Sequence, residues 1–356
     1  MSDQLFISTR KGLFDLKRNG TGAWEIAATH FLGTPVCLAH WDATRGELFA
    51  ALDDEHYGPK LHRSSDGGKS WTECATPALP ASDAEDAPAV KLVWAMATGK
   101  STRLWAGTIP AALFHSDDRG QSWQLSEALY NVKEKEEWFG GGFSDPGLHS
   151  ICIDPRNEDH VVVGISCGGV WRTEDAGAKW AMTTDGLRAN YMPPAKAFEG
   201  ATQDPHMLAQ CAANPEVIWI QHHNGIFKSE NCGTKWQEVT DVNPSTFGFP
   251  VAVHPKDPKT AWFAPAIADE ERYPADGKFI ITRTRDGGTT FEVLDKGLPQ
   301  TPAYDLVFRH ALVVDETGDR LAVGSTSGGL WITENGGEEW HLSDVRFPPI
   351  AAVAFG

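Results

Sequence analysis

Six octapeptides of the form Ser/Thr-x-Asp/Asn-x-Gly-x-x-Trp/Phe recur along this chain and restrict it to an array of equal units. They are SSDGGKSW (64–71), SDDRGQSW (116–123), TEDAGAKW (173–180), SENCGTKW (229–236), TRDGGTTF (284–291) and TENGGEEW (333–340). A seventh, KRNGTGAW (17–24), keeps Asn19 and Trp24 but loses the hydroxyl and shifts the glycine. The closing aromatics are Trp24, Trp71, Trp123, Trp180, Trp236, Phe291 and Trp340, at intervals from 47 residues (Trp24 to Trp71) to 57 (Trp123 to Trp180). Regular units of that length point to a propeller whose blades are four-stranded sheets.

The residue types suit a hairpin turn. An Asp or Asn side chain accepts hydrogen bonds from turn amides, and glycine supplies a backbone angle that other residues resist. The closing Trp or Phe is expected to pack between neighbouring blades. An acid repeated once per blade describes scaffold, so the octapeptide carboxylates are not read as catalytic.

Short apolar runs flank each octapeptide, most clearly HSICID, VVVGIS, GVWRTED and KWAMTT around the fourth. Such runs read as strands. The chain begins with QLFIST, KGLFDL and AWEIAA but no inner strand, and ends with IAAVAF, one strand too many. The economical solution has Ile350–Phe355 completing the first blade, which closes the ring and removes two exposed edges. The expected fold is therefore all-β: a seven-bladed propeller, with 1–356 as one domain.

The octapeptides resemble the Asp-box (BNR) repeat of sialidases, two-propeller xyloglucanases and photosystem II assembly factors of the YCF48 type. The resemblance implies a propeller and one of two roles, glycoside hydrolysis or non-catalytic protein binding. Sialidases of this class use an arginine triad and an early Arg-Ile-Pro motif. Here the Ile-Pro pair is in Thr108-Ile109-Pro110, without the arginine, so classical sialidase activity is not expected.

The formal net charge of −17 disfavours nucleic acid and anionic membranes as partners. Met1-Ser2-Asp3-Gln4-Leu5-Phe6 has no basic segment leading into a long apolar run. Cys37, Cys74, Cys152, Cys167, Cys211 and Cys232 lack CxxC spacing and read as free thiols, so a cytoplasmic location is expected.

Connections in a four-stranded meander alternate between faces. The octapeptide turns take one face, and the insertions at 52–60, 124–148, 184–205, 265–278 and 295–304 take the other. Long loops gathered on one face of a rigid scaffold are where function is expected. His149 and His310 occupy equivalent places in blades 4 and 7, His206 opens blade 5, and His222 and His223 form its second-to-third loop, matched by Cys167 in blade 4. Imidazoles at this density point to a divalent transition metal, zinc or manganese, on His149, His206, His222 and His223. The competing reading has each ring bonding loop backbone.

Glu137, Tyr191, Arg309 and His310 are the candidate catalytic groups, and Glu55, His56, Trp138, Arg188 and Tyr304 the candidate substrate contacts. Arg10 and Lys196 add cations to this face, Asp53, Asp204, Asp269 and Glu270 add acids, and Tyr57 and Tyr273 add rings suited to stacking on sugars. Salt bridging and surface solvation compete with these roles. The expected activity is hydrolase- or lyase-like, with a glycosyl-hydrolase-related reaction favoured, on a small anionic or sugar-like substrate in the channel mouth. The alternative is a protein-interaction propeller of the YCF48 type.

Overall fold

The computed structural model describes residues 1–54, 57–81 and 87–356, and builds them into seven four-stranded antiparallel sheets. The first blade orders Ile350–Phe355, Gln4–Thr9, Gly12–Arg18 and Trp24–His30 from the axis outward. Its closing ladder runs from Leu5 opposite Phe355 to Thr9 opposite Ile350, so both chain ends share one sheet as the strand count required. The second strands are buried along most of their length, Val161–Ile165 and Ile218–His222 along all of it, which is why they read as continuous apolar runs. Outer strands are more exposed, and outside the first blade they are short, as in Ala181–Met182. The helical pieces, the longest being Lys133–Glu137, all lie in the insertions.

Each octapeptide closes on itself. In blade 2 the buried Ser64 hydroxyl donates to Asp66 Oδ1 (2.7 Å) and accepts the Gly68 N–H (2.8 Å). Asp66 in turn accepts the Ser70 N–H (2.9 Å) and hydroxyl (2.6 Å). Thr173 and Asp175 repeat the pattern in blade 4. The invariant glycine stands at positive φ (89° at Gly68), and so does the residue before it, even where that residue is Arg119, Ala176 or Cys232. The turn therefore holds two successive left-handed residues, and only the second demands glycine in every complete copy. The closing tryptophans reach the preceding blade. Trp123 Nε1–H donates to the Ala75 carbonyl (2.9 Å) and Trp236 Nε1–H to the Thr183 carbonyl (2.8 Å).

The inner strands carry a second repeated device. In blade 5, Pro205 pairs with His222 and Met207 with Gln221, so His206 is skipped by the ladder. The same irregularity skips Cys37, Trp94, His149 and Ala351 in their strands, and Phe249 with Pro250 in blade 6. A bulge of this kind re-aims a side chain. Of these residues, Cys37, Trp94, His206, Phe249 and Ala351 line a cavity at the loop-rich end of the channel.

Candidate functional site

The cavity encloses about 770 Å³, within the range of small-molecule sites. Its walls come from the bulged inner-strand residues, from the segment 139–145, and from Tyr191, Arg272, Phe308 and Arg309.

Asp204, His206 and His223 gather at its base, with ligand-type atoms all within 4.8 Å of one another. Two neighbouring strands bring them together. The pairing of Pro205 with His222 sets Asp204 opposite His223, whose N–H donates to the Asp204 carbonyl (2.9 Å). The bulge then turns His206 inward. Asp204 Oδ1 accepts the Ser166 hydroxyl (2.9 Å) and the Cys167 N–H (3.1 Å). Its Oδ2 is left facing His206 Nε2 at 3.4 Å and His223 Nδ1 at 3.5 Å. Burial opposes ionisation of Asp204, but the imidazoles and the Arg309 cation outweigh it and hold the carboxyl well below its ordinary range. Burial holds His206 below its ordinary value against the pull of Asp204.

Arg309 is buried in the cavity wall. Its guanidinium lies 4.8 Å from the Trp94 ring centre and 5.3 Å from that of Phe249. Its Nε has no hydrogen-bond partner among the described residues. Burial pushes its pKa down to about 10, still cationic at neutral pH. Of the other cations lining the cavity, Lys91 pairs with Asp145 (2.6 Å) and Arg272 with Asp269, and Arg10 is exposed. His310 Nε2 donates to the His149 carbonyl (2.8 Å), and burial lowers its pKa to about 4, so the ring is neutral. Gly141 lies over the acid. A Cβ there would stand 3.0 Å from Cys167 Sγ and 3.8 Å from Asp204 Oδ2.

Several residues singled out in the sequence lie elsewhere. His149 Nε2 donates to the Pro205 carbonyl and Nδ1 meets the Ser150 hydroxyl (2.8 Å each), so both nitrogens are committed. His222 faces the N–H groups of Asp204 and Asn224 (3.1 Å each), which likewise leaves no nitrogen for an ion. Of the four proposed ligands, His206 and His223 come together, and Asp204 joins them. Glu137 is exposed on Lys133–Glu137, outside the cavity, and Trp138 packs against Trp171, ring centres 6.0 Å apart. Arg188 is bound through two nitrogens by Glu238, beside a separate depression. Tyr304 is 69% exposed beside Tyr273, and Lys196 pairs with Glu199 (3.5 Å). Tyr191 does line the cavity, but its hydroxyl donates to the Thr202 carbonyl, and burial with Asp204 nearby raises its pKa. Glu55 and His56 lie outside the described residues.

No family model matches the chain. Among curated proteins it is 23% identical over 249 residues to an oligoxyloglucan-reducing end-specific xyloglucanase of Emericella nidulans, covering 65% of this chain and 27% of that protein. A probable enzyme of the same description from Neosartorya fischeri is 22% identical over 285 residues, covering 72% of this chain and 32% of that one. The chain thus spans about a third or less of its curated relatives. Among solved structures, an ancestral GH74 enzyme superposes with a TM-score of 0.59 at 17% identity, over 86% of this chain and 38% of that one. YCF48 bound to a D1 peptide superposes with 0.53 at 13% identity, over 87% and 81%. At these identities the superpositions establish the propeller fold.

Chemically, the cavity offers an ionised, buried carboxylate beside two imidazoles, a guanidinium with no close ion pair among the described residues, and the neutral His310. That set can activate a water molecule and hold an anion close to it.

Proposed function

We propose that this protein is a hydrolase, glycosidase-like in its relatives, acting on a small anionic or sugar-like molecule held in the channel mouth. The observation that carries the reading is the cluster of Asp204, His206 and His223 lining the cavity at the channel mouth. In this reading the cluster activates the attacking water. Arg309 orients the anionic group of the substrate, and Trp94, Phe249 and Phe308 shield the reaction from bulk water. The xyloglucanase relatives support a carbohydrate as the substrate class.

The alternative, a protein-binding propeller, draws on the exposed aromatics Phe198 (70%) and Tyr304 (69%) in the insertions. A docking platform has no use for a buried carboxylate–imidazole cluster, which favours the enzyme.

The test is turnover of 4-nitrophenyl glucoside, xyloside and glucuronide by the full chain and by Asp204→Asn. Turnover of at least one substrate is expected, with kcat lowered at least about 100-fold in the variant, as for loss of a base that activates water. No turnover of any of the three, or an unaffected Asp204→Asn, overturns the reading.

A further inference from the structure

The separations inside the cluster are unusual for hydrogen bonds. A charge-assisted imidazole–carboxylate bond is about 2.7–2.9 Å long, whereas Asp204 Oδ2 stands 3.4 Å from His206 Nε2 and 3.5 Å from His223 Nδ1. Two ligands bound tetrahedrally to one ion at about 2.0–2.1 Å are about 3.3 Å apart. These two carboxylate–imidazole separations fit an ion better than a direct bond, and the partly exposed His223 side is where the cluster, spread over as much as 4.8 Å, would tighten around it.

The tautomer of His206 sharpens this. Its Nδ1 lies 2.6 Å from the Gly248 carbonyl and must carry the proton there. In the neutral ring Nε2 is then a bare lone pair, buried and aimed at an anionic oxygen. That juxtaposition calls for a cation between the two atoms. Both ligands also have the supporting contacts that metal sites use: the second ring nitrogen of His206 donates to backbone, and the spare oxygen of Asp204 is held by Ser166 and Cys167.

We propose that Asp204, His206 and His223 form a binding site for one divalent transition-metal ion, zinc or manganese, with its remaining coordination positions open to the cavity. Two imidazoles and a carboxylate without thiolate suit these ions, whereas calcium and magnesium prefer all-oxygen sites and copper(I) prefers sulfur. Three protein ligands leave room for water or substrate, as catalytic rather than structural sites do. Arg309 stands nearby, so ion and guanidinium together would exceed the single Asp204 charge and favour an anionic ligand on the open side. The site rests on its own geometry and does not depend on the reaction being hydrolysis.

The experiment strips the full chain with EDTA and titrates it with Zn²⁺, Mn²⁺ and Co²⁺, reading stoichiometry by elemental analysis and Co²⁺ geometry by its visible absorption. About one equivalent of zinc or manganese is expected. His223→Ala, which removes a partly exposed ring, should weaken binding at least about 10-fold. His341→Ala, at an exposed ring on an outer strand, should leave the affinity unchanged, which separates the ligand set from a general effect of removing a histidine. Failure to bind any of the three ions, or binding indifferent to His223→Ala, overturns the site. Stoichiometric metal without glycoside turnover upholds the site and removes the hydrolase; turnover by protein that binds none of the three ions upholds the hydrolase and removes the site.

Discussion

Replacing Arg309 with methionine should make the protein more stable while damaging its site. The side chain is buried, its Nε lacks a partner among the described residues, and no carboxylate there forms a close ion pair with it. Desolvating an ion costs several kcal/mol, and an unbonded buried donor about 1–3 kcal/mol. Against this stand two cation–π contacts, with Trp94 and Phe249, worth about 0.5–2 kcal/mol each. The attraction of Asp204 offsets part of the remainder, yet Asp204 keeps its donors Ser166 and Cys167 when Arg309 is gone. Methionine preserves an unbranched apolar stem between the two rings. The balance favours the variant by roughly 1–3 kcal/mol. An unfolding entropy of about 2.1 cal/mol/K per residue translates this into a Tm rise of roughly 1–4 °C. Calorimetry on wild type and Arg309→Met reads the shift, and KM for an anionic against a neutral glycoside reads the functional loss, roughly 10- to 100-fold for the anionic one alone. A Tm lower by several degrees would refute the reasoning, because it would mean that the charge is compensated within the fold.

Two further outcomes follow from the same structure. Burial lowers His40 and His310 to about 4 and His222 to about 3. The unfolded chain therefore binds protons more readily than the folded one between those values and about 6.5. Stability from these rings is complete above about pH 6.5 and lost as pH falls toward 4, so Tm should drop across that window; a flat Tm from pH 7 to 4.5 would contradict their burial as neutral groups. Thr173→Val removes only the hydroxyl that accepts the Gly177 N–H (3.0 Å) and donates to Asp175 (2.8 Å), and should cost about 1–3 kcal/mol with catalysis intact. Lost turnover at full stability would show that the octapeptide turn is part of the site.

The blades were legible in the sequence because everything that defines an octapeptide turn lies within eight residues. Ser64, Asp66, Gly68 and Ser70 bond one another, so the pattern survives any change in the surroundings. Ring closure was legible for a different reason: the strands must come in fours, and IAAVAF was left over. The insertions obey no such local rule. Glu137 and Trp138 belong to a segment whose path is set by packing against Trp171, and nothing nearby in sequence states which of its side chains turns to the axis. Adjacent histidines posed the same problem. His222 ends the second strand of blade 5 and faces inward to backbone N–H groups, while His223, one residue on, reaches the cavity, and that parity depends on where the strand stops.

The inner-strand bulge explains both the position of the site and why composition pointed only to its neighbourhood. Alternation along a regular strand would send Cys37, Trp94, His149, His206, Phe249 and Ala351 into the ladder with their neighbours; skipping them frees a side chain from that alternation in six of the seven blades, the inner strand of blade 7 pairing without a break. The scaffold thus offers an axial position in each of those six blades, and the chemistry is decided by what fills it. Cys37 and Ala351 are small and make room, while Trp94 and Phe249 are aromatic and flank Arg309. Histidine occurs at the two adjacent positions, His149 and His206, and only the second has a carboxylate two residues before it. Asp204-x-His206 is therefore the one short pattern that could have marked the centre, and the ladder partner of Asp204, His223, completes it from the next strand. The polar cluster sits on the blade 5 side of the channel because only there do bulge, acid and strand end coincide. Arg309 and His310 precede the inner strand of blade 7, and the hydrogen bond from His310 to the His149 carbonyl ties that blade to blade 4 across the mouth of the channel.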